Sequence, residues 1–396
     1  MIEAVARPRI RVAGSRAESH PLALVRRLDW ILLATSVALV GYGLWVVSGI
    51  TRFDVPGDES YFLVRQAIAA GIGLVALIAA TIVPIDLARR HWRTLYVTTL
   101  ALMILVFLVA ETIRGSKRWI DLGFIQFQPS ELGKVLFVLA LAGFLVERAG
   151  RVTRWRTILY AIGLGAAPIL LVFLQPDLGT ALVYAAAMFA LLFFVGVRSR
   201  QLLTLVVVAV LAILSVLWFL PAAGVEVLKP YQTDRLAGLV DRDRDPSGLT
   251  WNVNQSITAV GAGGLTGRGT TDASQTRLDY LPEHATDFAF ASLAEQRGFV
   301  GSSILLLLYL LVVWRGLRVI TVAGDLYGAV VAGGLVFALV FQIFVNVGMT
   351  MGVAPVTGIP LPFVTVGGSS MVANLLMIGI LQGIHARGAP VRRSFP

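Results

Sequence analysis

The stretch Leu281-Pro-Glu-His-Ala-Thr-Asp-Phe-Ala-Phe290 places two carboxylates, Glu283 and Asp287, and one imidazole, His284, within five residues. It stands where a long polar segment meets an apolar run that continues almost to Trp314. A side chain at such a lip touches water, a lipid headgroup and a protein pocket together. An acid there suits general-base chemistry on a membrane-borne substrate. The plainer alternative is that Thr286 or Asp287 caps the helix that follows.

Four further stretches hold groups of this kind. Lys117-Arg118-Trp119 pairs two cations with an interfacial aromatic, and guanidinium forks match phosphate oxygens. Gln128-Pro-Ser130-Glu131-Leu-Gly-Lys134 follows, with Glu131 and Lys134 three apart and so on one helix face, where they either hold helices together or serve a site. Gln175-Pro-Asp177-Leu-Gly-Thr180 sets an acid at a break between two apolar runs, as a cap or as a working group. A long loop carries Gln255 and Ser256 and then the glycine-rich run Gly261 to Gly269, which departs from a dinucleotide fingerprint at Thr266. Its glycines suit a backbone approaching a ligand, or tight turns. Last, Asn346-Val-Gly-Met349 leads through Pro355, Pro360 and Pro362 to Gly367-Gly-Ser369-Ser370, a path no regular helix can follow. Gln128, Ser130, Gln255, Ser256, Ser369 and Ser370 join the charged groups as candidate substrate contacts.

The elements that position these groups are membrane spans. Of 396 residues 57% are hydrophobic and 14% charged, which excludes a soluble domain of this length. Apolar runs recur at about 30–50, 62–83, 94–112, 129–147, 158–175, 178–196, 202–220, 287–313, 324–345 and 367–385. They predict an all-α polytopic membrane protein of about ten helices, with a long loop, 221–286, between the seventh and eighth. Arg89, Arg90, Arg148, Arg151, Arg154, Arg198 and Arg200 fall in short connections on one side, together with the Arg-rich residues 1–28. The positive-inside rule then makes that side, and both termini, cytoplasmic. The net charge of +10 therefore reflects topology and an anionic leaflet, not nucleic acid. Residues 1–28 read as a mobile basic tail, 29–386 as the membrane domain and 387–396 as a second tail. There is no cysteine for a disulfide or thiolate, and no cleavable signal peptide is expected.

Taken together, these stretches resemble the SEDS family of cell-wall polymerases, the RodA and FtsW type, from Asp29 to about residue 386. Asn346-Val-Gly-Met349 and Ser274-Gln-Thr-Arg-Leu278 resemble the RodA branch more. The resemblance implies a peptidoglycan glycosyltransferase that uses lipid II in the outer leaflet of a bacterial cytoplasmic membrane. It places the family's essential acid on Asp287 and its loop pair on Arg118-Trp119. Its span-four pair falls on Glu131 and Lys134, and a further acid on Asp177. Two departures stand out: Ala285 precedes Thr286-Asp287-Phe288 where relatives often have His, and Thr365-Val366 precede Gly367 where relatives often read Ser-Tyr.

The reaction so implied is a single inverting displacement with Asp287 as general base. The departing diphosphate needs positive charge from Arg118, Lys117 or a divalent cation (Mg²⁺ or Mn²⁺) rather than a strong acid. The resemblance also implies a class B penicillin-binding protein as partner, since the chain has no soluble domain for cross-linking. Two readings from other classes compete: a lipid II transporter using intramembrane Glu131, Lys134 and Asp177, and a non-catalytic scaffold.

Overall fold

The computed structural model describes residues 21–110, 118–121, 123, 126–219, 221 and 249–388. Lys117, most of the expected basic tail, positions 222–248 of the long loop and the last eight residues lie outside them. The first described turn, α1 (Pro21–Arg26), falls inside the stretch read as a tail.

Among the described residues ten apolar helices correspond to the ten runs. Eight are long and apolar enough to cross a membrane: α2 (Trp30–Ile50), α3 (Tyr61–Ile82), α5 (Trp92–Val109), α6 (Pro129–Glu147), α7 (Trp155–Leu174), α12 (Ala289–Val322), α13 (Leu326–Thr350) and α14 (Gly368–Arg387). Two are shorter, α8 (Leu178–Phe194) and α9 (Ser199–Leu214), the second prolonged by a π turn over Ser215–Phe219. Between them lie α4 (Ile85–Arg90), a two-stranded ribbon of β1 (Ile120–Asp121) and β2 (Gln126–Phe127), and, in the long loop, α10 (Leu249–Ala262) and α11 (Ser274–Arg277).

Helix α6 is the most deeply buried of the spans, with α5, α8, α13 and α14 around it. Its interior face mixes Phe137, Leu141 and Leu145 with the charged pair Glu131 and Lys134. Exposed Val75, Leu108, Leu159, Leu203 and Phe344 lie on outward faces, the distribution expected where the solvent is hydrocarbon.

At one end of the bundle the first and last spans are fastened together. Asp29, 2% exposed, takes a forked ion pair from Arg315 of α12 (Nε to Oδ2 2.8 Å). Gln382 of α14 donates to the Asp29 carbonyl and accepts from its N–H, both at 2.9 Å. An even number of crossings follows, because the first span begins at the end where the last one finishes.

Helix α12 departs from the expected run in two ways. It continues past Trp314 to Val322, and it is broken at Gly298, where φ is +63°. The glycine-rich run of the long loop fills the break. Phe299 and Val300 donate to the carbonyls of Gly264 and Leu265 (2.9 and 3.1 Å), while Arg268 and Gly269 donate to those of Glu295 and Gln296 (2.9 and 3.0 Å). A Cβ on Gly267 would lie 2.3 Å from the Gln296 carbonyl oxygen, so the glycines bring backbone to backbone rather than backbone to ligand. Glu295, fully buried, fixes the next turn of the loop by accepting from the N–H groups of Gln275 and Thr276 (2.9 Å each) and from Thr276 Oγ1 (2.7 Å). The described part of the loop is therefore tied to α12 on both sides of Gly298.

An alanine at 298 would meet the Gly267 nitrogen at 2.4 Å and hold a left-handed backbone unfavourable to any side chain. Gly298→Ala should lower stability by at least about 2 kcal/mol. A thermal melt of the purified protein in detergent checks this against Gly163→Ala, where a Cβ meets nothing within 4 Å.

Candidate active site

The residues between α11 and α12 form a compact lip whose main chain is almost wholly engaged. Glu283 adopts a left-handed φ of +57°, and its carbonyl accepts from the N–H groups of Thr286 and Phe288, both at 3.1 Å. Thr286 Oγ1 donates to Glu283 Oε2 at 2.7 Å, so that carboxylate is used in the turn. The next four carbonyls are each taken by a different group. His284 O accepts from Ser292 Oγ (3.2 Å), Ala285 O from the Val366 N–H (3.0 Å), Thr286 O from Thr365 Oγ1 (3.1 Å) and Asp287 O from Asn346 Nδ2 (3.1 Å).

These partners belong to α13, α12 and the proline- and glycine-rich loop 355–367. The loop is tied down in turn: Gln66 of α3 donates to Thr365 O (3.0 Å) and accepts from the Gly367 N–H (3.1 Å), and Leu361 N donates to Thr365 Oγ1 (2.8 Å). Asp287 directly precedes the cap position of α12, which is Phe288. The half-buried Asp287 carboxylate faces Gly358, where a Cβ would stand 3.5 Å from Oδ2. Gly358, at φ +70°, thus keeps one wall of the acid free of any side chain.

A second polar group lies on the far side of the same loop. Asp177, 1% exposed, caps α8 by accepting from the Thr180 N–H at 3.1 Å, the role its Pro/Gly setting allowed. Its other oxygen accepts from Gln128 Nε2 at 2.9 Å. Arg118 Nη1 stands 3.8 Å from Oδ1, and the guanidinium stacks on Trp119 at 4.3 Å. Arg118 Nε is buried without a hydrogen-bond partner, so this cation is only partly used. Ser369 Oγ joins the group to α14, accepting from Gln128 N (2.8 Å) and donating to Gln126 O (3.0 Å). The link to the lip is steric: a Cβ on Gly179 would lie 2.5 Å from Thr357 O, in the loop that faces Asp287.

The remaining candidates divide between scaffold and neighbourhood. Lys134 and Glu131 form an ion pair of 2.8 Å with side chains 2% and 1% exposed, turned into the bundle as expected. Ser130 accepts at its carbonyl from Tyr184 (2.9 Å), and its buried hydroxyl has no partner. Ser370 Oγ accepts from Asn374 (3.2 Å). Ser256 is fully buried on α10 and donates to Thr350 O (2.8 Å), while Gln255 beside it is half-buried. Among the described residues no group of three or more His, Cys, Asp or Glu side chains is arranged to hold a metal ion. Asp54, Asn346 and Thr365, which contact the lip, and Gln66, which holds the loop beside it, escaped the sequence reading in those roles. Their partners lie up to 301 positions away, and spacing along the chain gives no sign of them.

Comparison with known proteins meets this geometry. The FtsW/RodA/SpoVE family profile, described as cell cycle protein, matches residues 26–389. The chain belongs to this family. It is 35% identical over 366 residues to the peptidoglycan glycosyltransferase MrdB of Escherichia coli K12, covering 92% of this chain and 97% of that one. It is 34% identical to stage V sporulation protein E of Bacillus subtilis strain 168, covering 90% and 96%. Among solved structures, a chain from a peptidoglycan synthase complex that coordinates polymerization and crosslinking is similar at TM-score 0.76 and 32% identity, covering 90% and 97%. RodA of Thermus thermophilus is similar at TM-score 0.65 and 30% identity, covering 90% and 96%. The fold expected from the motifs, an all-helical polytopic membrane protein, is the fold of this family.

His284 joins the lip to the loop after α2. Its Nε2 lies 3.0 Å from Asp54 Oδ1 and its Nδ1 3.5 Å from Asp279 Oδ1. Burial alone would lower the imidazole pKa, but the hydrogen bond and charge of Asp54, with Asp279, outweigh it and leave the pKa above the ordinary 6.5. A raised folded-state value stabilises the fold fully below pH 6.5, and the contribution fades as pH rises through the raised value. The stability lost in His284→Gln should therefore be largest in mildly acidic buffer and shrink at alkaline pH. Melting temperatures of both proteins across that range provide the check.

Proposed function

We propose that this chain is a peptidoglycan glycosyltransferase that polymerises lipid II at the outer leaflet of a bacterial cytoplasmic membrane. Family membership, with relatives named for that activity, supports the reaction class. The observation that carries the mechanism is Asp287, a half-buried carboxylate locked by its main chain beside the bare wall of Gly358.

In this reading Asp287 takes the proton from the 4-hydroxyl of the acceptor's GlcNAc as that oxygen attacks the anomeric carbon of the donor's MurNAc. The new glycosidic bond forms as the carbon–oxygen bond to the diphosphate breaks. The undecaprenyl diphosphate leaves from the opposite face with the bonding pair, so α becomes β in one displacement. A leaving group of this kind needs no proton, unlike the leaving sugar of a glycoside hydrolase. It needs cationic stabilisation, a role we assign to Arg118, whose buried Nε has no hydrogen-bond partner, and to Lys117 next to it in sequence. A divalent ion would arrive with the diphosphate rather than on protein ligands.

The arginine-rich connections 84–93, 147–157 and 197–201 support a cytoplasmic placement of the opposite end, which leaves the lip outside. A class B penicillin-binding protein is the proposed partner: the similar synthase complex coordinates polymerization and crosslinking. The role assigned is elongation and rod shape.

Purified protein in proteoliposomes with labelled lipid II tests the reading, with and without partner and with divalent cation or chelator. Wild type should yield glycan chains. Asp287→Asn should lower the rate by about 10³-fold or more while folding normally. Arg118→Ala should cost about 10²-fold, mainly in kcat. Wild-type polymerisation by Asp287→Asn would remove the base assignment, and headgroup movement without bond formation would favour a transporter.

A further inference from the structure

We infer that Asn346 is the positioning residue for Asp287, holding the acid and its facing wall in register through one amide nitrogen. The inference rests on the reading of Asp287 as the base and adds a residue to it. Asn346 lies on α13, fully buried, five residues before its C-terminal cap at Met351. Its Nδ2 donates to two carbonyls that belong to different segments: Asp287 O at 3.1 Å and Ile359 O at 2.8 Å. Ile359 directly follows Gly358, the residue against the Asp287 carboxylate. The same –NH₂ group therefore fixes the main chain of the acid and the main chain of the wall it faces.

Two neighbouring tethers differ from it. Thr365 reaches Thr286 O from within the loop, and Gln66 holds the loop without touching the lip. The chemistry explains the residue type. A primary amide offers two hydrogens from one nitrogen, whereas an ionised carboxylate of the same shape offers none and would face two carbonyl oxygens. Glutamine would displace the nitrogen by a methylene in a fully packed site. The site also lies next to a polar orphan, since Asn346 Oδ1 is buried without a partner. A side chain kept for packing alone would not retain an unsatisfied acceptor in an apolar bundle. Here that cost accompanies the placement of the acid.

A displaced base loses rate rather than binding, because the substrate's remaining contacts are unchanged. The test uses the full chain with Asn346→Asp and Asn346→Ala, and with Tyr327→Phe as the comparison. Tyr327→Phe deletes another buried hydrogen bond of α13, to Leu139 O at 3.0 Å, remote from the lip. Steady-state polymerisation of lipid II and hydrogen–deuterium exchange over residues 281–290 are measured on each variant. Both Asn346 variants should lose roughly 10- to 100-fold in kcat with KM within about threefold. Exchange at the lip should rise in both, whereas Tyr327→Phe should change neither measurement. A kcat within twofold of Tyr327→Phe, or lip exchange equal to wild type, would overturn the inference. If one Asn346 variant fails to fold, the other decides. The exchange measurement needs no turnover, so it judges the tether even if Asp287→Asn proves active and the base assignment falls.

Discussion

Irregular backbone in an apolar bundle survives only where each of its carbonyls finds a donor, and the lip around Asp287 is built on that constraint. Five consecutive carbonyls, from Glu283 to Asp287, are each accepted into a hydrogen bond, by Thr286 and Phe288, Ser292, Val366, Thr365 and Asn346 in turn. Each buried, unpaired carbonyl would cost about 1–3 kcal/mol. The lip and the loop 355–367 therefore stabilise one another, and neither is a free segment that a ligand must order. The left-handed Glu283 is tolerated because its neighbours leave the turn no other path.

The charged groups fall into two populations. Glu131 with Lys134, Asp29 with Arg315, and Glu295 with the turn at Gln275-Thr276 are saturated by one another and almost closed to solvent. Removing one member of such a pair strands a charge, although the pair itself adds little net stability over an apolar substitute. They fasten helices in register. Arg118 differs: it is 3.8 Å from Asp177, stacked on an aromatic ring and left with a buried N–H unused. Such a cation has an N–H left for an additional hydrogen bond. A transporter reading built on Glu131 and Lys134 would have to open a closed pair near the start of the most buried of the spans.

The ten spans were legible in the sequence because hydrocarbon length imposes a long apolar run. The limits of α2 and α6 agree with their runs to the residue, Trp30–Ile50 and Pro129–Glu147. The lip was legible because an acid-rich decapeptide abuts an apolar helix. Two features were not. The break at Gly298 hides in Arg-Gly-Phe, since one glycine in a helical pattern is ordinary, and what makes it a break is a loop about thirty residues upstream. Asn346 stands out in the sequence only as part of a motif, and Gln66 reads as a stray polar residue on an apolar helix. Their partners are backbone carbonyls and amides, which every residue has, so side-chain identity announces neither tether.

The lower part of α12 carries Arg315 and is anchored to both chain ends, while its first nine residues carry the lip. An unbroken rod would transmit torque from one end to the other. At Gly298 the helical ladder is handed to a different stretch of chain, which acts as a coupling collar between two shafts. The two shafts are therefore joined twice over, once through Gly298 and once through the loop that hydrogen-bonds to the helix on each side of it.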